Sequence, residues 1–386
     1  MNVPKLRFKD NNGNDYPQWK KQNLGNISDI TKLAGFEFTE YVTYQDSGNI
    51  IALRGLNVKN NTLDLSDVKY IDNSDFSKLS RSKLYINDLL FTYVGTIGEV
   101  ALINQNDKYY LAPNVCRIRH YDNVNAIYLL YIFNSNIIKR EIYKYLTKSS
   151  QPALSMENIR KFKVSLPCLE EQNKIANFLS TVDKKISNIE DIITNLENQK
   201  KGLLQQTFSQ KIRFKDENCK NSYTSYHLHN LIKDIKSGNN KERTETGLYP
   251  VYGSMGILGY NNNYVYNFTS LLIARVGINA GKVSLVTGKY DVSDNTLIII
   301  PSNKVNIYYL YYYLIDFNLN KLVFGSGQPL IKASELKKII IQAPCLEEQT
   351  KIADFLSAFD RKIDNQKAQL EHWKQIKKGL LQQMFV

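Results

Sequence analysis

The sequence predicts an α+β protein with two β-rich mixed domains, separated by a pair of long antiparallel coiled-coil helices and related by a pseudo-two-fold internal repeat. Three observations predict this fold class. One segment occurs twice and carries a heptad pattern, two dissimilar blocks contain short strand-like runs, and the excess positive charge lies in those blocks. A chain of 386 residues is long enough for two or three domains.

The internal repeat is the clearest feature of the chain. PCLEEQNKIANFLS and PCLEEQTKIADFLS open segments 167–209 and 344–386, which share 24 identities over 43 aligned positions. Both segments close on KKGLLQQ, one residue before a phenylalanine. A second pair, KLRFKD at 5–10 and KIRFKD at 211–216, marks the start of each half. The chain is therefore a duplication whose halves begin and end alike and differ in the middle.

Apolar residues in both repeated segments recur at alternating steps of four and three, the heptad pattern of a coiled coil. Gln366 and Lys377 interrupt this pattern in the second copy. Two such helices in one chain can cover each other's apolar stripe, and about 40 residues make a rod of roughly 60 Å. We predict coiled-coil or subunit-docking contacts for Ile175, Leu179, Val182, Ile186, Leu203, Leu204, Ile352, Leu356, Phe359, Ile363, Leu380 and Leu381.

The charge is distributed unevenly. Lys and Arg total 50 against 37 Asp and Glu, a net charge of +13. Cut at the repeats, the chain falls into 1–166 (net +6), 167–210 (−1), 211–343 (+7) and 344–386 (+1). The two blocks therefore carry the excess, which indicates a polyanionic partner, with nucleic acid first and an anionic membrane second.

Both blocks are predicted to contain strands as well as helices. Strand-like runs closed by Gly, Asn or Pro lie at 50–58, 88–95, 271–277 and 296–301. Each block also has one aromatic helix, NAIYLLYIFN at 125–134 and NIYYLYYYLIDFN at 306–318. Their tyrosines could stack on bases, but helices this apolar more often pack inward, so we favour a core position.

Several loops could meet a nucleic acid. The GINAGKV turn at 277–283 is one residue short of a P-loop and lacks its Ser/Thr, so we interpret it as a strand–strand turn whose backbone could lie near phosphate. Polar loops at 237–247 and 252–264 could present side chains to base edges or could be plain solvated turns. KSSQP at 148–152 and GSGQP at 325–329 repeat each other, which indicates a shared structural or phosphate-contacting role.

From these segments we predict a set of candidate DNA contacts. They are Lys32, Arg54, Lys59, Arg81, Lys148, Ser149, Gln151, Ser237, Asn239, Lys241, Arg243, Tyr252, Ser254, Asn261, Arg275, Lys282, Ser326 and Gln328. The basic members would supply contacts to phosphate, and the polar members could read base edges.

Signals for chemistry are missing. The four cysteines fit neither a zinc site nor a disulfide framework, so we expect reduced thiols in the cytoplasm. His227-x-His229 has no third ligand nearby and is interpreted as incidental. No catalytic motif, cofactor-binding motif, secretory signal or membrane-spanning run is found, so we expect neither a catalytic centre nor a membrane partner.

The duplicated P-C-L-E-E-Q-x-K-I-A-x-F-L-S, the duplicated K-K-G-L-L-Q-Q-x-F and the two dissimilar blocks together resemble the specificity subunit of type I restriction-modification enzymes. The resemblance implies two target recognition domains, 1–166 and 211–343, each reading one half of a split sequence in double-stranded DNA. It implies that 167–210 and 344–386 form the central and distal conserved helices, which set the spacer between the halves.

The same resemblance implies partners. Two modification subunits would bring S-adenosylmethionine and methylate adenine N6, and two restriction subunits would add translocation and cleavage that need ATP and Mg²⁺. No cofactor is expected in this chain. Three alternatives stay open: the specificity subunit of another multi-subunit restriction system, an autonomous enzyme, and a coiled-coil adaptor that binds no DNA. Missing motifs weigh against the enzyme, and the charge distribution weighs against the adaptor.

Overall fold

The computed structural model describes residues 4–147, 152–214, 222–325 and 329–385. The chain forms two compact units. Unit 1 comprises Met1–Ile189 with Gln369–Val386, and unit 2 comprises Glu190–Ala368. Each unit therefore combines one of the basic blocks with a segment from each of the two repeated helices.

The first block contains short strands and helices. Its strands are β1 (Lys20–Asn23), β2 (Ser28–Lys32), β3 (Ile51–Leu53), β4 (Val58–Lys59), β5 (Thr62–Leu63), β6 (Lys69–Tyr70), β7 (Leu89–Thr92), β8 (Val100–Leu102), β9 (Tyr109–Leu111), β10 (Val115–His120) and β11 (Lys163–Leu166). Its helices are α1 (Gly35–Tyr41), α2 (Ala126–Asn134), α3 (Asn136–Tyr145) and α4 (Met156–Arg160), with 3₁₀ turns at Leu24–Asn26, Gly55–Asn57 and Ser80–Ser82. The long helix α5 (Leu169–Phe208) follows.

The second block repeats this plan. Its strands are β12 (Thr224–His227), β13 (Asp234–Ser237), β14 (Tyr249–Gly253), β15 (Gly256–Asn261), β16 (Tyr266–Asn267), β17 (Ser270–Ala274), β18 (Val283–Val286), β19 (Lys289–Val292), β20 (Thr296–Ile300) and β21 (Ile340–Ala343). Its helices are α6 (Leu228–Leu231), α7 (Ile307–Phe317) and α8 (Ala333–Lys337), with a 3₁₀ turn at Leu319–Leu322. The long helix α9 (Leu346–Met384) closes the chain.

The internal repeat extends into the sheets. The central sheet of unit 1 has the order β2-β10-β7-β8, and that of unit 2 has the order β13-β20-β17-β18, with every neighbouring pair antiparallel. A two-stranded sheet joins β1 to β11 and, correspondingly, β12 to β21. A further sheet pairs β3 parallel to β9 in unit 1, and β14 parallel to β19 in unit 2. The blocks are thus duplicated in topology although their sequences differ.

The core of each unit forms where the central sheet, the aromatic helix and the long helices meet. Tyr128 of α2 and Tyr309 of α7 are fully buried, as are Leu179 of α5 and Leu356 of α9 in the same clusters. Burying each large apolar side chain contributes about 1.5–3 kcal/mol. The inward packing predicted for the aromatic helices is therefore confirmed for these tyrosines, which are unavailable for stacking on bases.

Within each unit the two long helices run antiparallel. In unit 1, Lys377 Nζ lies 2.6 Å from Asp183 Oδ1, so the start of α5 faces the end of α9. In unit 2, Lys367 Nζ lies 2.7 Å from Glu197 Oε1, and Lys200 pairs with Asp360. The predicted α+β class, with paired long helices and an internal repeat, is confirmed.

The predicted seam residues face inward to different degrees. The fully or nearly buried ones are Ile175, Leu179, Val182, Leu204, Ile352, Leu356 and Ile363. The half-buried ones are Ile186, Leu203, Phe359, Leu380 and Leu381.

The two repeated motifs of each half meet at the start of a long helix. In unit 1 the Arg7 guanidinium donates to both oxygens of the fully buried Glu171, at 2.9 and 2.7 Å, and Trp19 Nε1 donates to the same carboxylate at 3.0 Å. In unit 2, Arg213 forms the equivalent bidentate pair with Glu348, at 2.8 and 2.9 Å. The hydrogen bond to the carboxylate raises the pKa of each arginine. These contacts explain why KxRFKD and PCLEEQ are both duplicated.

The glutamine that follows each of these glutamates holds the block to the helix. Gln172 Oε1 accepts from the Asn125 backbone N–H at 2.8 Å, and Gln172 Nε2 donates to the Pro167 carbonyl at 3.0 Å. Gln349 repeats both contacts, with the Asn306 N–H and with the carbonyl of the proline five residues earlier, each at 2.9 Å. We call these two arrangements the glutamine sockets. Each one fixes the residue that caps the aromatic helix.

The repeated helix ends also pack inside the chain. Phe208 at the end of α5 contacts the rings of Tyr309 and Tyr313, with centroids 5.6 and 5.2 Å apart. Phe385, just after α9, contacts the Tyr128 ring at 5.6 Å. Each helix end therefore completes the core of one unit.

The likeness of the two helix ends does not require an external partner, because packing on the aromatic helices already accounts for it. Leu204 is only 7% exposed and belongs to the unit 2 core, and Leu381 packs against the unit 1 core. Leu204 is therefore not accessible for direct docking.

Two further expectations can be compared with the structure. Among the described residues, no helix is both long enough and apolar enough to cross a membrane. Cys116 is a buried free thiol and Cys168 an exposed one, whereas Cys345 is disulfide-bonded. The expectation of reduced thiols is therefore wrong for Cys345.

Candidate nucleic-acid interface

Equivalent Gly-rich turns connect β7 to β8 in unit 1 and β17 to β18 in unit 2, which confirms that 277–283 is a strand–strand turn. Each turn is joined to the segment after the repeated Gln-Pro. Val94 forms a bridge with Ala153, and Val276 forms one with Leu330. Ala153 and Leu330, the residues that follow the two repeated prolines, therefore have the same structural place in both units, beside the turn.

Backbone hydrogen bonds within the turn and to Pro329 hold the turn of unit 2 in place. Gly277 and Gly281 have φ angles of +79° and +88°, a region that side chains disfavour. The Gly281 N–H donates to Ala274 O at 2.8 Å, and the Gly277 N–H donates to Pro329 O at 2.9 Å. At the tip, the side chain of Ile278 is 97% exposed. The turn thus presents an ordered, protruding edge.

Arg275 lies at the base of this turn, near two other predicted residues, Ser237 and Ser254. Its Nη1 donates to Ser237 Oγ at 3.1 Å and to the Asp294 carbonyl at 3.3 Å. Ser254 Oγ donates to the Asn295 carbonyl at 2.7 Å, on the same loop. The structure therefore brings Ser237, Ser254 and Arg275 together around the loop before β20.

The remaining predicted residues of unit 2 line its loops and strands. Asn239, Lys241, Arg243 and Lys282 are exposed. The loop 237–247 is fastened to β15, because Thr244 and Tyr260 exchange backbone hydrogen bonds at 3.0 and 2.9 Å. The other two predicted residues are less accessible: Tyr252 packs on Tyr290, and Asn261 Oδ1 accepts from the N–H of Asn262.

The four predicted cations of unit 1 that lie among the described residues have partners. Three form ion pairs: Arg54 with Asp67 at 2.9 Å, Lys59 with Asp64 at 3.0 Å, and Arg81 with Glu37 at 3.2 Å. The hydrogen bond from Ser66 and then the pairing with Lys59 lower the pKa of Asp64. The fourth, Lys32, lies over the Tyr93 ring, with Nζ 5.4 Å from the centroid. Tyr93 occupies the place of Arg275, since its carbonyl accepts from Leu154 as that of Arg275 accepts from Ile331.

Sequence reasoning missed two arginines of β10. Arg117 pairs with Asp29, and burial lowers the pKa of Arg117. Arg119 forms a bidentate pair with Asp88, both contacts at 2.7 Å, and its guanidinium lies 4.8 Å from the Tyr85 ring centroid. The signal was the alternation in VCRIRH, which places both arginines on one face of the strand.

Some predicted residues cannot be compared. Lys148, Ser149, Gln151, Ser326 and Gln328 lie outside the described residues. His227 and His229 stack on each other and face the carbonyls of Lys338 and Lys337, as suits incidental surface histidines. Over the described ranges, no group of three His, Cys, Asp or Glu side chains is arranged to hold a metal.

Comparison with known proteins gives a consistent result. The family model described as the type I restriction modification DNA specificity domain matches residues 16–198 and 236–373. The putative type I restriction enzyme MjaX specificity subunit of Methanocaldococcus jannaschii is 26% identical, over 84% of this chain and 83% of that protein. The EcoprrI specificity subunit of Escherichia coli is 25% identical, over 71% of each chain.

Solved structures show the same fold. The S subunit of a type I restriction-modification system from M. genitalium superposes with a TM-score of 0.66 at 17% identity, covering 100% of this chain and 99% of that one. A chain from a structural study of assembly and conformational transition in a type I system gives a TM-score of 0.59 at 16% identity, covering 95% and 97%.

Proposed function

The chain belongs to the type I restriction-modification DNA specificity family, and from this membership we propose how it selects DNA. It is a sequence-recognition subunit that performs no chemistry itself. We propose that unit 1 reads one half of a bipartite target and unit 2 the other. The observation that carries this is the pairing of one conserved sheet order with two dissimilar, positively charged blocks. The same scaffold can then hold loops of different specificity.

The domain limits follow from the repeat. We propose 1–166 and 211–343 as the two target recognition domains, and 167–210 and 344–386 as the central and distal helices. Their net charges of +6 and +7 against −1 and +1 support this division, since contacts to phosphate need an excess of Lys and Arg.

In unit 2 we propose that DNA lies against the Gly-rich turn, the cluster around Arg275 and the basic loop with Lys241 and Arg243. These side chains are exposed, or bond to hydroxyl and carbonyl oxygens that phosphate can replace. In unit 1 the equivalent place is held by Lys32 and Tyr93. The carboxylates paired with Arg54 and Lys59 are 67% and 31% exposed, so exchanging them for phosphate costs little. Arg81 is 61% exposed and could contact phosphate while it keeps its pair with the buried Glu37.

The partners follow from the family. We propose that two modification subunits dock on the helices and methylate adenine N6, and that two restriction subunits complete the complex. S-adenosylmethionine, ATP and Mg²⁺ would then be held by those partners, in the cytoplasm where the DNA is. Since Leu204 is buried, docking would use other side chains of the two helices that are exposed.

The test is to express the chain with the modification subunits of its own system and to map adenine methylation in the host DNA. A single bipartite motif is expected. Replacing 211–343 by the matching block of a relative should change one half of that motif and keep the other. A hybrid that changes both halves, or a wild-type chain that yields no motif, would contradict the proposal.

A binding measurement separates this function from a coiled-coil adaptor. Lys241→Ala with Arg243→Ala should weaken DNA binding at all salt concentrations, and should reduce the slope of log K against log salt by about two. Lys201→Ala with Lys378→Ala removes the same charge from the helices and serves as the matched control. Equal effects of the two pairs would contradict the assignment of the loop to DNA.

A further inference from the structure

The lysines that occupy seam positions of the long helices have specific partners. In unit 1, Lys377 Nζ lies 2.6 Å from Asp183 Oδ1, and Tyr131 Oη donates to Asp183 Oδ2 at 2.8 Å. The lysine also lies over the Tyr131 ring, 5.8 Å from its centroid. Three elements therefore meet at one point: α2 of the block, α5 and α9.

Unit 2 repeats this arrangement with equivalent residues. Lys200 pairs with Asp360, and Tyr312 Oη donates to Asp360 Oδ2 at 2.6 Å. Lys200 Nζ lies 5.2 Å from the Tyr312 ring centroid. Here α7 of the block, α5 and α9 meet. We call the two arrangements the lysine nodes.

The nodes lie where a coiled coil normally has apolar residues. The lysine side chains are only 20% and 16% exposed, and both tyrosines are 2% exposed. Replacing a buried ion pair by apolar residues is often neutral or stabilising, so stability alone does not account for these lysines. The best-attested use of a polar residue at a seam position is to specify register.

The sequence of the helices shows which registers the nodes exclude. Sliding one helix along the other by one heptad in one direction would bring Lys377 opposite Ala176 in unit 1 and Lys200 opposite Ala353 in unit 2, and both alanines are buried. Sliding in the other direction would bring Lys200 opposite Lys367 in unit 2, so this shift is excluded by the unit 2 node, whereas Lys377 would then meet Glu190 in unit 1. Either shift leaves a partly buried ammonium without its carboxylate, which is costly.

We propose that the two lysine nodes fix the register of the helix pair and the position of each recognition domain on that pair. The complex is thereby restricted to one spacer length in its DNA target. This inference rests on the proposed function. It assigns Lys200, Lys377, Asp183 and Asp360 as positioning residues for specificity, with Tyr131 and Tyr312 joining the recognition domains to them.

The test compares Lys200→Met with Lys377→Met in one chain against the matched control Lys201→Met with Lys378→Met, which changes the next, exposed residue of each helix. Each chain is purified with its modification subunits. Binding is measured on duplexes that carry the wild-type half-sites at the original spacing and at spacings up to about three base pairs longer or shorter, since one heptad is about 10 Å.

The node variant should stay folded with a modestly lower melting temperature, because Asp183 and Asp360 lose the ammonium but are 36% and 33% exposed. Its preference for the original spacing should fall by about tenfold or more. The control should keep both the melting temperature and the preference. The charge swap Asp183→Lys with Lys377→Asp, combined with Asp360→Lys and Lys200→Asp, should restore one spacing, because it rebuilds each pair.

Several outcomes would overturn the inference. A folded node variant that keeps the full preference shows that the nodes do not set spacing. A node variant that fails to fold shows that they are structural. In either case wild type still binds one bipartite target, so the proposed function stands. A wild-type complex without any spacing preference would instead refute the proposed function, and this inference with it.

Discussion

The buried arginine–glutamate pairs at the helix starts allow a quantitative test. Glu348 is 1% exposed and accepts three hydrogen bonds, two from Arg213 and one from the Phe214 backbone N–H. Glu348→Gln keeps the shape but turns an NH₂ group toward the guanidinium and removes the charge. The change therefore removes the carboxylate that faces a half-buried cation.

The magnitude follows from the geometry. Breaking a fully buried ion pair costs about 3–5 kcal/mol. The side chain of Arg213 is 19% exposed and can recover part of its hydration, so we expect a loss of about 2–4 kcal/mol in the free energy of unfolding of unit 2. For a unit of this size that corresponds to a fall in melting temperature of roughly 5–15 °C. Glu171→Gln should have the same effect on unit 1, where Trp19 also loses an acceptor.

Hydrogen exchange of the backbone amides can report the loss of stability in each unit separately. Glu348→Gln should accelerate exchange in the segments around 211–214 and at the start of α9, and Glu171→Gln should do so around 5–19 and at the start of α5. Glu197→Gln is the matched control, because it makes the same chemical change in an exposed pair with Lys367. That control should cost about 0.5 kcal/mol or less. Equal losses for the buried and exposed changes would refute this reasoning.

Three further predictions follow. One heptad inserted after Ile189 and another after Leu370 keep the antiparallel pairing in phase. The spacer of the methylated motif should then grow by about three base pairs. An active complex that still methylates the original spacing would show that helix length does not set the spacer. Phe385→Ala should destabilise unit 1 by about 3 kcal/mol or more in chemical unfolding, since the ring is buried on α2. Alkylation near pH 8 should label the exposed Cys168 and spare Cys116, because burial raises the pKa of Cys116 to about 12 and keeps it as the thiol; early labelling of Cys116 would contradict this.

Periodicity made the helices predictable. The heptads located α5 and α9 within a few residues, and the apolar density of the aromatic helices predicted their burial. Periodicity also identified Lys377 as an interruption, but it could not identify Asp183 as the partner, because that contact depends on the antiparallel register of two distant segments.

The candidate site was harder to predict because exposure and pairing are tertiary properties. Arg54 and Lys59 looked like free cations in sequence, yet each has a carboxylate from a neighbouring loop. Leu204 was predicted for a coiled-coil or docking contact, and the structure places it in the unit 2 core. Conversely, the repeated KxRFKD had no assigned role until the fold placed Arg7 and Arg213 on the helix starts.

The glutamine sockets have a consequence for how such a gene diversifies. The side chains of Gln172 and Gln349 hydrogen-bond only to backbone atoms, at the N-terminus of the aromatic helix and at the proline before their own long helix. Backbone atoms are the same whatever side chains surround them, so the sockets place no demand on the sequence of the loops. A foreign block that recombination joins at the flanking motifs could therefore form the same backbone hydrogen bonds to the two glutamines. Mutations could likewise alter the loops without breaking these hydrogen bonds. Selection for new DNA targets and selection for a stable assembly thus act on different codons of one gene.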